Sequence, residues 1–145
     1  MAAPTYTWEW VTNLFGGEPP KVTTLEATAN LETKVGTLLI GSSGQVDEAT
    51  ASAVTIIGLA ANATTAAATA ADPTSVYLLK PGDVIKGTAD ADASSLAGFS
   101  GKLVDMNTDG SLDVGDTSGG SLSVWRTEDS GLTVYCVVSK GALYG

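Results

Sequence analysis

The sequence predicts an all-β fold, either a barrel or a sandwich of short strands. Runs of apolar and β-branched residues recur along the 145-residue chain, and turn signals separate them about every 8–12 residues. Nearly half of the residues are Gly, Ala, Ser or Thr, and Val, Leu, Ile and Phe together make up less than a quarter. We therefore expect one lightly packed domain, which is the default number at this length.

Turn chemistry and β-branched runs place the individual strands. Lys80-Pro81-Gly82-Asp83 is a strong turn signal, because Pro presets φ and Gly accepts a positive φ. The Ala- and Thr-rich stretch 60–71 has no bulky residue to bury, so we expect a loop with at most one helical turn. The predicted strands cover residues 22–27, 35–40, 54–60, 75–79, 84–87, 101–106, 111–114, 121–126 and 132–138.

The first 20 residues differ from the rest of the chain. Tyr6, Trp8 and Trp10 alternate with Thr and Glu, which is the period of a strand, and Phe15 follows them. Gly and Pro in the stretch 16–20 then break the pattern. We accordingly divide the chain into an N-terminal arm, residues 1–20, and a β-barrel domain, residues 21–145.

Two interpretations of this arm remain open. It is either a strand docked on its own domain, or an arm whose aromatic side chains anchor on another subunit. The second is preferred, because aromatic anchors on a mobile terminus make good interaction hot spots. It predicts that a chain lacking residues 1–18 still folds but no longer binds its partner.

The charge balance argues against several classes of partner. The chain has 7 Lys and Arg against 16 Asp and Glu, a net charge of −9. This balance provides no electrostatic footprint for nucleic acid or for an anionic membrane surface. No apolar run approaches the ~20 residues that span a bilayer, and the N-terminus lacks the basic start and apolar core of a signal peptide.

Residues for catalysis are scarce. The chain has no His, and Arg126 is its only arginine. Triads and metal sites built on His are therefore excluded within one chain. Paired carboxylates could act in glycoside hydrolysis, but such enzymes use a cleft lined with aromatic residues, which are 6% of this chain. We expect no enzymatic activity and no cofactor.

One stretch follows the logic of a calcium-binding loop. Asp105, Asn107 and Asp109 occupy positions 1, 3 and 5, Gly follows at position 6, and Asp113 and Asp116 occupy positions 9 and 12. An Asp stands where an EF-hand has its bidentate Glu, and glycines occupy the place of the exiting helix. A plain β-hairpin turning at Asp109-Gly110 is the preferred interpretation.

Two further residues have open roles. Cys136 shares a strand face with Val134 and Val138, so we expect a buried small hydrophobe; as a reactive thiol it would have only Lys140 nearby to activate it. Trp125 faces away from its apolar strand neighbours and is either a core residue of a second face or a subunit contact.

The order of these pieces resembles the head decoration (capsid cement) proteins of tailed bacteriophages. The resemblance covers about residues 30–138. It rests on residues 34–39, on 56–60 with the Ala/Thr loop that follows, and on 76–84 with its Lys-Pro-Gly-Asp turn. The aromatic arm has no match in the pattern, since this part varies widely among such proteins.

The resemblance implies a small β-barrel or β-tulip-like domain that assembles as a homotrimer on the outer surface of the capsid. Its partners would be the major capsid protein and further copies of itself, with no nucleic acid and no membrane. The expected mechanism is mechanical: the domain clamps adjacent capsid subunits. The expected contact residues are Tyr6, Trp8, Trp10, Phe15 and Trp125.

Two other functions remain alternatives. An extracellular β-sandwich recognition or adhesion module would present a solvent-facing aromatic platform and would follow a secretion route. A phage tail component would share this composition and differ mainly in its symmetry.

Overall fold

The computed structural model describes residues 4–28, 31–42, 45–49, 56–64 and 73–139, and it confirms the all-β prediction. Residues 54 and 55 of one predicted strand, and 65–71 of the predicted loop, lie outside these ranges. The strands are β1 (Glu9–Asn13), β2 (Lys21–Glu26), β3 (Leu38–Ser42), β4 (Gln45–Glu48), β5 (Gly58–Ala60), β6 (Pro73–Leu78), β7 (Asp83–Thr88), β8 (Asp105–Met106), β9 (Leu112–Asp113), β10 (Leu122–Glu128) and β11 (Thr133–Val138).

A four-stranded antiparallel sheet has the order β1-β7-β11-β10. The register places Glu9 opposite Lys86, Lys86 opposite Tyr135, and Tyr135 opposite Arg126, a row that crosses all four strands. Successive side chains alternate between faces, so Val134, Cys136 and Val138 of β11 point to the opposite side, where all three are fully buried.

A five-stranded antiparallel sheet has the order β2-β6-β5-β3-β4. Its first and last strands meet at one end, where Ala27 and Val46 form a parallel bridge and the Thr28 N–H donates to the Val46 carbonyl at 3.0 Å. Small and branched side chains of this sheet and its connections form a second buried cluster, separate from the main core. They are Ala27, Leu31, Leu39, Val46, Ala60 and Val76.

The main core lies between the two sheets. Leu38 and Leu59 of the five-stranded sheet pack in one cluster with Ile85 and Val134 of the four-stranded sheet, and Trp8 belongs to the same cluster. Burial of these side chains provides the main driving force for joining the sheets, at about 25 cal/mol per Å² of apolar surface.

The strand predicted at residues 35–40 begins later than expected. Residues Lys34 to Thr37 form a turn instead: the Thr37 N–H donates to the Lys34 carbonyl at 3.0 Å, and the Lys34 N–H donates to Thr37 Oγ1 at 3.0 Å. Gly36 has a φ of 92° in this turn, a conformation that side chains disfavour. The turn matters because Gly36 contacts the N-terminal segment.

Candidate functional site

Residues 4–13, here called the N-terminal segment, are bound to their own domain. β1 pairs with β7 along the edge of the four-stranded sheet. Trp8 is 3% exposed, and its Nε1 donates to the Gly110 carbonyl at 2.8 Å. Within one chain, the structure places the Trp8 indole in this domain's own core, as the docked-strand interpretation expects, and anchoring of the arm on another subunit stays a prediction. A chain lacking residues 1–18 would lose this core residue, and its ability to fold stays a prediction.

Three glycines, here called the glycine slot, make room for the segment. A Cβ on Gly87 would overlap the Trp8 indole, one on Gly36 would overlap the Trp8 carbonyl oxygen, and one on Gly110 would overlap the Tyr6 carbonyl oxygen. The backbone is held as well: the Trp8 N–H donates to the Gly36 carbonyl at 2.8 Å. The segment therefore fits against these three positions because the glycines have no side chains.

A buried carboxylate holds the far end of the segment. Asp83 is fully buried, and its Oδ1 accepts hydrogen bonds from Asn13 Nδ2 at 2.8 Å and from Trp10 Nε1 at 3.1 Å. Its Oδ2 accepts the Lys80 N–H at 2.8 Å, and the Lys80 ammonium lies 3.5 Å from Oδ1. Charge-assisted bonds of this kind are about twice as strong as neutral ones, so Asp83 ties β1 to the turn that precedes β7.

Predicted contact residues within the segment and just after it do face solvent. Phe15 is 86% exposed and lies over Gly82, and Tyr6 is 38% exposed. Val11 and Leu14 are exposed too. We call Val11, Leu14 and Phe15 the apolar patch; it is available to a partner in a way that Trp8 is not.

A groove of about 460 Å³ opens beside the N-terminal segment. Half-buried Trp10 lines it together with Tyr77 of β6 and with Val35, which is 64% exposed. Lys86 and Glu9 supply opposite charges to the same lining. Its volume lies within the range of about 300–1,000 Å³ that ligand sites occupy.

Trp125 lies away from this groove, at a bulge in β10 where the register shifts between Val124 and Arg126. It is half-buried, and the Arg126 guanidinium sits 5.6 Å from its ring centroid and 3.9 Å from that of Tyr135. The guanidinium also pairs with Glu128 at 3.4 Å. Trp125 thus makes a cation–π contact within its own chain, and a role for it as a subunit contact stays a prediction.

The stretch that resembles a calcium loop is a hairpin, as preferred: β8 and β9 pair across the turn. Asp109 Oδ1 accepts the N–H and the hydroxyl of Ser111 at 2.9 and 2.6 Å. Burial raises the pKa of the Asp105 carboxyl, and the negative charges of Asp116 and Asp113 raise it further, while a hydrogen bond from the Met106 N–H lowers it. In the described part of the chain, no group of three or more acidic, His or Cys residues is placed to hold a metal ion.

Calcium and EDTA are each expected to leave the melting temperature unchanged, because these carboxylates already accept local hydrogen bonds. A real site would respond clearly: ligand at 100 times its Kd stabilises a fold by about 2.7 kcal/mol. Thermal unfolding followed by circular dichroism with 10 mM Ca²⁺, chosen as roughly 100 times a Kd of about 0.1 mM, makes the measurement. An increase with Ca²⁺ that disappears in Asp113→Asn would contradict the prediction.

Cys136 is fully buried in β11, and this burial raises the pKa of its thiol well above the ordinary value. A thiol in that state is a poor nucleophile. The expected role as a small core hydrophobe agrees with this placement.

Several residues of this site were not foreseen from the sequence. The sequence predicts only that Tyr77 and Val35 are strand residues, and nothing local marks them as lining a groove. For Asp83 the sequence predicts only a place in a turn. The one usable signal was its position next to the Lys-Pro-Gly turn, since a carboxylate there is well placed to bind the turn's N–H groups.

No protein-family model matches the chain, and no curated protein matches it either. No helix in the described ranges is long and apolar enough to cross a membrane.

Proposed function

We propose that this protein is a structural component of a tailed-phage virion. It binds the outer surface of the mature head as a homotrimer and stabilises the head by clamping adjacent major capsid subunits. The observation that carries the proposal is the apolar patch: Val11 lies on β1, and Leu14 and Phe15 lie in the turn that follows it. Trp8 and Asp83 fix β1 to the domain. The resemblance in strand and turn order supplies the identity of the partner.

Rigid presentation supports a mechanical role. A clamp transmits force only if its contact residues cannot move independently of its body. β1 pairs with β7 on both sides of an irregularity at Val11, the Leu14 N–H donates to the Gly82 carbonyl at 2.9 Å, and the Phe15 N–H donates to Asn13 Oδ1 at 2.7 Å. A fixed anchor also loses less conformational entropy on binding than a free arm does. Three such contacts in a trimer add avidity without any new contact chemistry.

The charge distribution is compatible with this location. With a net charge of −9, the chain repels nucleic acid and stays soluble on the outside of an assembly. The proposal involves no catalytic step and no cofactor. Contacts to capsid subunits would rest on apolar burial rather than on ion pairs.

Phe15→Ser is expected to reduce occupancy of heads by about 10-fold or more, since burying a Phe side chain contributes roughly 1.5–3 kcal/mol. Fully expanded heads lacking the protein are mixed with purified chain and sedimented, and bound chain is quantified on a gel. The stability of the free protein should change little, because Phe15 is 86% exposed.

Phe99→Ser is the matched control, since Phe99 is also an exposed phenylalanine, at 49%, but lies outside the apolar patch. It should bind heads like the wild type. An equal loss of head binding in both variants would show that the apolar patch is not the specific contact. Binding equal to that of the wild type in both variants would also contradict a role for the patch.

The groove favours a second candidate, a recognition module that holds a ligand between Trp10 and Tyr77. Such a module predicts that neutral oligosaccharides quench or shift tryptophan fluorescence in the free protein, and that Tyr77→Ala removes the response. The decoration protein predicts no response. Electron microscopy of purified particles separates heads from tails as the place of binding.

A further inference from the structure

We propose that Lys80 and Asn13 form an intramolecular isopeptide bond, and that Asp83 transfers the protons of this reaction. The product is an amide between Lys80 Nζ and Asn13 Cγ, and one ammonia is released. This bond fastens the end of β1 covalently to the turn that precedes β7. The inference goes beyond the proposed function and does not depend on capsid binding.

The three groups that the reaction needs meet at one buried oxygen atom. Asp83 Oδ1 accepts a hydrogen bond from Asn13 Nδ2 at 2.8 Å, and Lys80 Nζ lies 3.5 Å from the same oxygen. Asp83 is fully buried and Asn13 is 7% exposed. Holding reacting groups together removes much of the entropic barrier, and burial keeps away water, which is the competing nucleophile.

The Lys80 side chain is oriented in the reverse of the usual way. Lysines normally bury the methylene stem and keep the ammonium in water. Here the side chain is 26% exposed, but Nζ itself is buried and has no hydrogen-bond partner among the described residues. A Cβ on Gly17 would lie 3.9 Å from Nζ, so this glycine covers the nitrogen from one side. Because a buried charged group without hydrogen bonds is costly, its conversion to a neutral amide is favourable.

The Asn13 carboxamide has a suitable partner at each end. Its Oδ1 accepts the Phe15 N–H at 2.7 Å, and its Nδ2 donates to Asp83. This orientation is fixed, because a backbone N–H can only donate. The N–H stabilises the negative charge that develops on Oδ1 when an amine adds to the carbonyl carbon. At the other end, Asp83 is placed to protonate the nitrogen that has to leave.

The reaction is balanced without any further reagent. Asp83 accepts a proton from the Lys80 ammonium, and the neutral amine adds its electron pair to Asn13 Cγ. Asp83 then gives this proton to Nδ2 and accepts the second proton of Nζ, while the Cγ–Nδ2 bond breaks. The released ammonia takes the last proton from Asp83 and leaves as ammonium. One C–N bond forms and one breaks, and nothing is oxidised or reduced.

A second carboxamide–carboxylate pair shows why the reaction is specific to Asn13. Asn107 Nδ2 donates to Asp90 Oδ2 at 3.0 Å, but this hydrogen bond is exposed to solvent. Among the described residues, no lysine forms an ion pair with Asp90. That pair therefore lacks both the nucleophile and the protection from water that Asn13 has.

Mass spectrometry of the intact full-length chain tests the proposal. After allowance for removal of Met1, most wild-type molecules are expected to be lighter than their sequence by the mass of one ammonia. Trypsin separates residues 1–21 from residues 35–86, so the peptide with Asn13 and the peptide with Lys80 should be recovered as one branched species. A wild-type chain at its full sequence mass, with the two peptides separate, would overturn the proposal.

Two variants and a matched control assign the roles. Lys80→Arg keeps the positive charge but lacks the nucleophilic amine, and Asp83→Asn cannot transfer the protons, so both should have the full mass of their sequences. Lys102→Arg should lose ammonia as the wild type does, since Lys102 is exposed.

The contrary outcomes are distinct. Loss of ammonia in Lys80→Arg would show that another reaction, such as cyclisation of an asparagine, is its source, and a bond that still forms in Asp83→Asn would overturn the role of Asp83. The branched peptide of the wild type decides whether the bond exists even where a variant does not fold. No heads are present in these measurements, so the capsid proposal stands or fails independently.

Discussion

Trp8→Ala is expected to destabilise the domain by about 3–5 kcal/mol, the usual cost of deleting a large buried aromatic side chain. The indole is 3% exposed and belongs to the core between the two sheets. Since a domain of this kind is stable by only about 5–15 kcal/mol, the loss is a large part of the total. Urea unfolding followed by circular dichroism measures it.

Two companion variants separate the causes. Trp8→Phe keeps an aromatic ring on Gly87 but leaves the Gly110 carbonyl without its donor, so we expect a loss of about 1–3 kcal/mol. Gly87→Ala introduces a Cβ that overlaps the indole, and such overpacking also costs about 1–3 kcal/mol.

The opposite result has a clear meaning. If the segment were a free arm, Trp8→Ala and Gly87→Ala would both leave the urea midpoint unchanged. Stability equal to that of the wild type in both variants would overturn the docked segment seen here.

The sequence predicted the strands better than it predicted what they bury. Period-2 alternation identified Trp8 and Trp10 as strand residues correctly, because the pattern is local. Their environment depends on Gly36, Gly87 and Gly110, which lie far from Trp8 in sequence. Each of these glycines reads locally as a turn or a weak strand position, so nothing in the sequence shows that they receive an indole and its backbone.

The hairpin at residues 105–113 shows the opposite case. Asp109-Gly110 is a strong local turn signal, and it correctly outweighed the calcium-loop spacing. The groove could not be predicted in the same way, because Trp10, Val35 and Tyr77 come together only once the two sheets pack. Position in the sheet order, rather than residue type, makes Tyr77 a groove residue.

Asp83→Ala is expected to cost about 3–5 kcal/mol, because removing one partner of a buried charged pair leaves the other groups without compensation. Asn13 Nδ2 and the Lys80 N–H would lose their acceptor inside the protein, and the Lys80 ammonium would lose its only ion pair among the described residues. Chemical denaturation gives the free energy of unfolding, with Asp92→Ala as control: that carboxylate is exposed and accepts local hydrogen bonds from Ser94, so its removal should cost much less than that of Asp83.

We expect Asp83→Ala to loosen β1 more than the rest of the domain. Trp10 and Asn13 are tied to β7 through Asp83, so amide hydrogen exchange in β1 should become faster in Asp83→Ala than exchange in β11, which keeps its bonds to β7 and β10. Segments held by few contacts open with lower free energies than the core does. Asp83→Asn tests the charge: its amide can accept from Trp10 and Asn13 but then presents its NH₂ group to the Lys80 N–H, so the variant should lie between the wild type and Asp83→Ala. Uniformly faster exchange in all strands would mean instead that Asp83 supports the whole domain and does not specifically hold the N-terminal segment.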